Sequence, residues 1–411
     1  MSKAPKLRFK EFSGDWESKR LNDLCEKIMV GIASSATHAY RTSGIIMFRN
    51  QNIKPNHLDD TDILYLDEQY EKIHKSKRLM PGDLLTARTG YPGTTCVVPD
   101  KYINAQSFTT LITRPNKDLA ISEYLSQYIN SDIGTKFFKS VEIGGGQKNV
   151  NAETLKSLPI SIPSLKEQEK IASFFSLIDD KISLQGEKVE ALKDYKRSMM
   201  QKIFSKELRF KDDEGRDYPE WEEKKLGDIA NLTSSKRVFA SDYVDEGIPF
   251  YRGKEITELK QNKKPSDILY ITQEKYDDIK NNFGIPVKGD LLLTAVGTLG
   301  NSYVIKDDNP FYFKDGNLIW FKDIKEDVNF LNFILTSEKG QKKIIDSAIG
   351  STQKALTIVE LNKLKYEFPS LMEQRKIANF LDNLEIKVIK EEEKLDFLKQ
   401  YKKGLLQQMF V

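Results

Sequence analysis

The sequence predicts an α+β protein written twice. Two similar globular domains are joined by two long antiparallel coiled-coil helices, with internal pseudo-two-fold symmetry. Three observations predict it. Motifs return at an almost constant offset, both halves end in a heptad-spaced apolar seam, and both contain short β-type runs broken by Gly, Pro and Asn.

The repeat is read directly. Trp16-Glu-Ser-Lys-Arg-Leu-Asn-Asp-Leu24 returns as Trp221-Glu-Glu-Lys-Lys-Leu-Gly-Asp-Ile229, and Gly82-Asp-Leu-Leu85 returns as Gly289-Asp-Leu-Leu292. Pro163-Ser-Leu-Lys-Glu-Gln-Glu-Lys-Ile-Ala172 returns as Pro369-Ser-Leu-Met-Glu-Gln-Arg-Lys-Ile-Ala378. The domains read as 1–160 and 207–368, with a polar linker at 207–220, and the helices as 161–206 and 369–411. A pseudo-dyad suits a partner with approximate two-fold symmetry of its own, of which duplex DNA is the commonest.

In the globular parts, Gly44-Ile-Ile-Met-Phe48, Asp83-Leu-Leu-Thr86 and Thr94-Thr-Cys-Val-Val98 are candidate strands. Their counterparts are Gly247-Ile-Pro-Phe-Tyr251, Asp290-Leu-Leu-Leu-Thr294 and Ser302-Tyr-Val-Ile305. One helix follows in each, Ile121 to Lys139 and Val328 to Ser347, and the sheets are expected to be mostly antiparallel. The intervening loops differ: Ser34-Ser-Ala-Thr-His-Ala-Tyr40 stands against Ser234-Ser-Lys-Arg-Val-Phe-Ala240. Two readers of two sequences would differ this way, and so would two copies drifting after duplication.

The first long helix carries Ile171, Phe175, Ile178, Ile182, Val189, Leu192, Tyr195, Met199 and Ile203, with Gln185 filling the one seven-residue gap. The second repeats the seam at offset 206 as Ile377, Leu381, Leu384, Val388, Leu395, Leu398, Tyr401, Leu405 and Met409, with Glu391 in the gap. The strict phase predicts that the two pack on each other in register. Gln185 and Glu391 either specify that register or mark a solvated middle. Ser164 with Glu167, and Ser370 with Glu373, read as capping boxes after a Pro. Phe174, Met200 and Phe204, with Phe380, Leu406 and Phe410, lie off the seam; packing on the chain's own domains and docking of a partner subunit both fit.

Composition excludes several classes. Hydrophobic residues at 39% and charged residues at 30% describe a globular protein, and no run approaches the roughly 20 apolar residues of a membrane span. The charged N-terminus lacks the apolar core of a signal peptide, and two cysteines in apolar contexts read as free thiols of a reducing cytoplasm. The net charge of only +3 is low for a protein that grips DNA unaided. Any phosphate grip is expected to be shared with other subunits. Gly144-Gly-Gly-Gln-Lys-Asn lacks the Gly-Lys-Ser/Thr end of a phosphate-binding loop, and neither a dinucleotide fingerprint nor an Asn-Pro-Pro-aromatic methyltransferase motif occurs. His38, His57 and His74 have no metal-ligand spacing with the cysteines. No catalytic, cofactor or metal residue is therefore assigned.

Trp-x-x-x-x-Leu-x-Asp, then Gly-Asp-Leu-Leu with a following Gly-x-x-Gly, then Pro-Ser-Leu-x-Glu-Gln-x-Lys-Ile-Ala before a long helix closely resembles one family. That family is the specificity subunit of type I restriction–modification enzymes. The resemblance spans both halves. It implies two target-recognition domains, each reading half of a bipartite double-stranded DNA target, and paired helices that set the half-site spacing. It also implies that the helices dock two adenine methyltransferase subunits and, through them, restriction subunits. S-adenosylmethionine, ATP and magnesium would then belong to partners, and this chain would not be catalytic. The first copy departs slightly, with Arg88-Thr-Gly-Tyr-Pro-Gly93 where the second has Ala295-Val-Gly-Thr-Leu-Gly300, which reads as a difference in base preference and not a loss of function. A stand-alone DNA-binding regulator and a protein-binding adaptor are the rival readings.

Residue type and loop position nominate the DNA contacts, since Arg, Lys, Asn and Gln read bases while Ser, Thr and Lys position phosphates. In the first domain these are Ser34, Ser35, Thr37, Arg49, Arg88, Thr89, Gln147, Lys148 and Asn149. In the second they are Ser235, Lys236, Arg237, Arg252, Lys254, Thr298, Gln353 and Lys354. Arg49 and Arg252 read equally as scaffold ion pairs.

Overall fold

The computed structural model describes residues 4–141, 149–350 and 354–411. They form two compact units, one of residues up to 187 with 392–411, the other of residues 188–391. In the first unit a central antiparallel sheet has the order Cys25–Val30, Leu111–Pro115, Leu84–Thr86, Thr95–Val97. A second sheet has the order Gln106–Ser107, Ile45–Phe48, Leu64–Leu66, Tyr40–Arg41, antiparallel except for its first pair, which is parallel. The second unit repeats both sheets. Its central order is Asn231–Thr233, Leu318–Lys322, Leu291–Thr294, Ser302–Val304, and Ile248–Tyr251 pairs in parallel with Tyr312–Phe313 in the other sheet.

The central strands are short and apolar because both of their faces are covered. Side chains alternate along a strand, so Leu84 and Leu111 join Trp16, Tyr124 and Phe175 on one face. Leu85, Cys96 and Ile112 pack with Phe48 on the other. In the second unit Leu291 and Leu293 face Trp221 and Phe330, while Leu292 faces Phe313 and Trp320. Burial pushes the Cys25 and Cys96 thiols up to about 12, so both are packing groups rather than nucleophiles at neutral pH.

The single helix expected after each sheet is two helices, Ser122–Asn130 with Asp132–Val141, and Val328–Thr336 with Glu338–Asp346. Periodicity runs through the break and hides it. At Ser337 the backbone turns extended (ψ 156°), and its hydroxyl accepts from the Gly340 amide at 3.1 Å. A Cβ on Gly340 would stand 1.9 Å from the Ile334 carbonyl oxygen, and one on Gly134 would stand 2.1 Å from that of Ile129. Only glycine allows the two helices to approach so closely.

The long helices run Leu165–Phe204 and Leu371–Met409. Each begins in one unit and ends in the core of the other: Phe410 lies among Tyr124, Tyr128 and Phe175, and Phe204 among Trp221 and Phe330. Within each unit the two segments are antiparallel. Phe175 meets Phe410 and Asp179 meets Lys402 in the first; Lys188 meets Glu391 and Lys196 meets Glu385 in the second. Asp179–Lys402 and Glu385–Lys196 are one ion pair repeated at offset 206, which fixes the register in each copy. Gln185 is buried at the gap position. Tyr195 and Tyr401, read as seam residues, are half exposed at 48% and 50%. Their size and hydroxyl place them at the margin, where the ring packs and the polar tip reaches water.

The helix starts keep one part of the expected capping box, the Ser370 hydroxyl accepting from the Glu373 amide at 3.4 Å, and differ in the other. Glu167 and Glu373 do not reach back to serine; both are buried and paired with arginines. Arg8 donates to both Glu167 oxygens at 2.7 and 2.8 Å, and Arg209 donates to Glu373 at 3.0 Å. A buried carboxylate needs a full charge partner, which outcompetes one backbone amide. The arginines belong to a further repeat, Leu7-Arg8-Phe9-Lys10 and Leu208-Arg209-Phe210-Lys211. Phe9 packs edge-on against Phe174 and Phe210 against Phe380, which accounts for those off-seam rings. Segment 207–220 is thus tied down at Arg209. The neighbouring glutamines are clamps: Gln168 accepts from the Ile121 amide at 2.9 Å and Gln374 from the Asp327 amide at 3.0 Å. Among the described residues no helix is long and apolar enough to cross a membrane.

Removing one partner of such a pair strands a buried charge. Arg8→Ala and Arg209→Ala should each lower stability by about 3 kcal/mol in urea unfolding. Arg8→Ala combined with Glu167→Gln should recover part of that loss, and an unchanged midpoint in the single variants would contradict the anchor.

Candidate nucleic-acid interface

In each unit the loops that pass between the two sheets converge. In the first, the loop after Val30 leads from the central sheet to the second sheet, and residues 108–110 lead back. The Ile32 amide donates to Ser107 at 2.7 Å, and the Thr109 amide returns to Ile32 at 2.9 Å. Thr109 holds a left-handed backbone (φ 52°). Its hydroxyl accepts from the Asn50 side chain at 3.2 Å. Asn50 in turn accepts from the Arg88 amide at 2.7 Å, and the Arg88 carbonyl accepts from Val150 at 3.0 Å. One hydrogen-bonded path therefore links the loop at 32–37, Thr109, Asn50, the turn at 88–93 and the segment at 149–150. Among the nominated residues, Ser34, Ser35, Thr37, Arg88, Thr89 and Asn149 lie along it.

The second unit builds the same rim. The Gly316 amide donates to the Ser234 hydroxyl at 3.5 Å, Ala295 donates to Asn317 at 2.8 Å, and Leu356 donates to Ala295 at 2.9 Å. Ser235, Lys236 and Arg237 lie in the first loop of this rim, Thr298 at the tip of the Gly297–Gly300 turn, and Lys354 just before Leu356. Lys236 donates its amide to the Tyr312 hydroxyl at 2.7 Å, and its ammonium sits 4.7 Å from the centre of the Phe283 ring. Arg237 is exposed and bonds Asp315 at 2.9 Å.

The matched arginines are turned inward. Arg49 pairs with Asp62 at 2.9 Å and bonds its carbonyl. Arg252 bonds Glu255 at 2.6 Å, which raises its guanidinium further above its ordinary value, and also bonds the Asp267 carbonyl. Lys254 stands 4.0 Å from the Asp267 carboxylate. Ser34 bonds the Tyr70 hydroxyl at 3.0 Å. Buried polar atoms without a partner among the described residues include Arg49 Nε, Arg88 Nε and Ser235 Oγ. Gln147, Lys148 and Gln353 lie outside the described residues.

Sequence reasoning passed over Asn50 and Thr109, which tie the first rim together, and Tyr91, which projects from it. Asn50 had a signal, since it follows the repeated Arg, but its counterpart is Gly253 and the repeat drew attention to the arginine alone. Among the described residues no group of three or more His, Cys, Asp or Glu side chains is placed to hold a metal ion.

Scaffold and rim residues should separate on stability. Arg252→Ala leaves buried Glu255 uncompensated and should cost about 3 kcal/mol in urea unfolding. Lys236→Ala, on an exposed loop, should shift stability by less than about 0.5 kcal/mol. Equal effects would overturn the division.

Known proteins share this organisation. The family model for the type I restriction modification DNA specificity domain matches twice, over residues 13–194 and 218–400. A putative type I restriction enzyme MjaX specificity subunit of Methanocaldococcus jannaschii is 28% identical over 98% of this chain and 95% of its own length. The crystal structure of a type I restriction-modification system S subunit from M. genitalium aligns with TM-score 0.61 at 15% identity, covering 99% of both chains. A chain from a structure described as the basis of complex assembly and conformational transition of the type I R-M system aligns with TM-score 0.58 at 17% identity, covering 96% of this chain and 97% of that one. With the same two-sheet unit folded twice and the family domain matched in both halves, the chain belongs to the type I restriction–modification DNA specificity family.

Proposed function

We propose that the chain is the sequence-reading subunit of a type I complex, each unit contacting one half of a bipartite double-stranded DNA target through its rim. The observation that carries this is one turn built twice with different side chains. Gly90 and Gly93 repeat as Gly297 and Gly300 with matching positive φ, yet Arg88, Thr89 and Tyr91 stand where Ala295, Val296 and Thr298 do. A constant backbone with changed donors is how one scaffold reads two sequences. The rim residues named above would make the contacts. Arg49 and Arg252 would support the loops, because their guanidinium groups are already engaged.

In this reading the paired helices set the half-site spacing about a pseudo-dyad and dock two adenine methyltransferase subunits, with restriction subunits attached through these. The chain contributes no catalytic group; S-adenosylmethionine, ATP and magnesium belong to the partners, and the complex works in the cytoplasm. A net charge of +3 supports sharing the phosphate grip with other subunits.

The direct test is single-molecule mapping of N6-methyladenine in the source genome with the gene intact and deleted. Loss of one bipartite motif is expected. Persistence of every motif, in cells shown to methylate through this complex, would overturn the reading and favour an adaptor. Inserting four residues after Gln185 lengthens the first helix by about 6 Å. The half-site spacing should change or assembly should fail; normal activity at the original spacing would refute the ruler.

A further inference from the structure

We propose that Tyr91 is a specificity-determining contact of the first unit, its ring packing into the DNA groove against base pairs of the first half-site. This rests on the reading of that unit as a DNA reader and names a side chain that hydrogen-bond reasoning overlooks.

The turn from Arg88 to Gly93 leaves strand Leu84–Thr86 and returns into Thr95–Val97. Its backbone is closed by the Gly93 amide donating to Ala87 at 2.9 Å and the Thr94 amide donating to Tyr91 at 3.2 Å. Gly90 (φ 79°) and Gly93 (φ 87°) hold left-handed positions. A Cβ on Gly93 would stand 2.3 Å from the buried Phe138 ring, so the turn is pressed onto the core. Arg88 is anchored by Asn50 on one side and Val150 on the other. On this rigid base Tyr91 projects with 81% of its surface exposed, the most exposed large hydrophobic side chain among the described residues.

Exposing an aromatic ring on a fixed turn gains the fold nothing, yet it suits contact. Only two side-chain torsions freeze on binding, the ring offers apolar surface to a base step or thymine methyl, and the hydroxyl can bond a base edge or phosphate. The second unit has the same turn with Thr298 at the tip, so the contact belongs to the first half-site alone.

The test uses the full chain assembled with its methyltransferase subunits. Duplexes carry the mapped target, the target changed in the first half-site, or the target changed in the second. Tyr91→Ala should weaken binding of the intact target by roughly tenfold or more. It should also flatten discrimination at the first half-site and leave the second-half ratio unchanged. Tyr91→Phe should retain most of the affinity, and the unfolding temperature should not move in either variant. Wild-type affinity and discrimination in Tyr91→Ala would overturn the proposal while leaving the two-reader model standing. A wild-type complex that prefers neither half-site would overturn the reader reading and the role of Tyr91 with it.

Discussion

Each unit depends on a buried carboxylate at the start of its long helix. Glu167 and Glu373 are almost wholly removed from water, and pairing with Arg8 and Arg209 makes that tolerable. The arginines arrive on segments whose phenylalanines pack on the same helices, and Gln168 and Gln374 bind the adjoining domain backbone. Three chemically different ties therefore converge within about two helical turns. They hold the start of each helix on its own domain, beside the core around Trp16 or Trp221.

The segments bearing those arginines also show how the halves are stitched. The Leu208 amide donates to Lys202 at 3.0 Å, where the first helix passes covalently into the second half. The Leu7 amide makes the same bond to Gln408 at 2.9 Å, although Leu7 and Gln408 lie near opposite ends of the sequence. Noncovalent docking thus reproduces in one unit what chain connectivity supplies in the other.

Repetition between the halves marks scaffold more than site. The tryptophans, the aspartates of Gly-Asp-Leu-Leu, the glutamate–glutamine pair and the matched arginines are engaged internally: Asp83 accepts from Arg114, and Asp290 accepts from Trp320. The candidate site lies where the copies diverge. A central sheet covered on both faces leaves little freedom to vary its strands, so variation collects in the loops passing between sheets. Sequence reasoning found most of these loops but chose residues by type. It therefore included Arg49 and Arg252, whose partners Asp62 and Glu255 are set by the fold, and missed Asn50 and Thr109, which join three loops through neutral hydrogen bonds.

The sequence by itself determined the duplication, three strands in each half, the extent and phase of the long helices, and the absence of any recognisable catalytic motif. These are local or periodic properties, written in apolar spacing, Gly and Pro punctuation and repeated motifs. Tertiary structure alone decided what those motifs do. Whether a glutamate caps its own helix or pairs with an arginine more than 150 residues away is a competition between partners. Its winner depends on burial and distance, and neither is present in the order of residues. The same holds for Tyr91, in sequence just one residue of a turn that differs between the copies, until the fold presses that turn against Phe138 and leaves the ring outside.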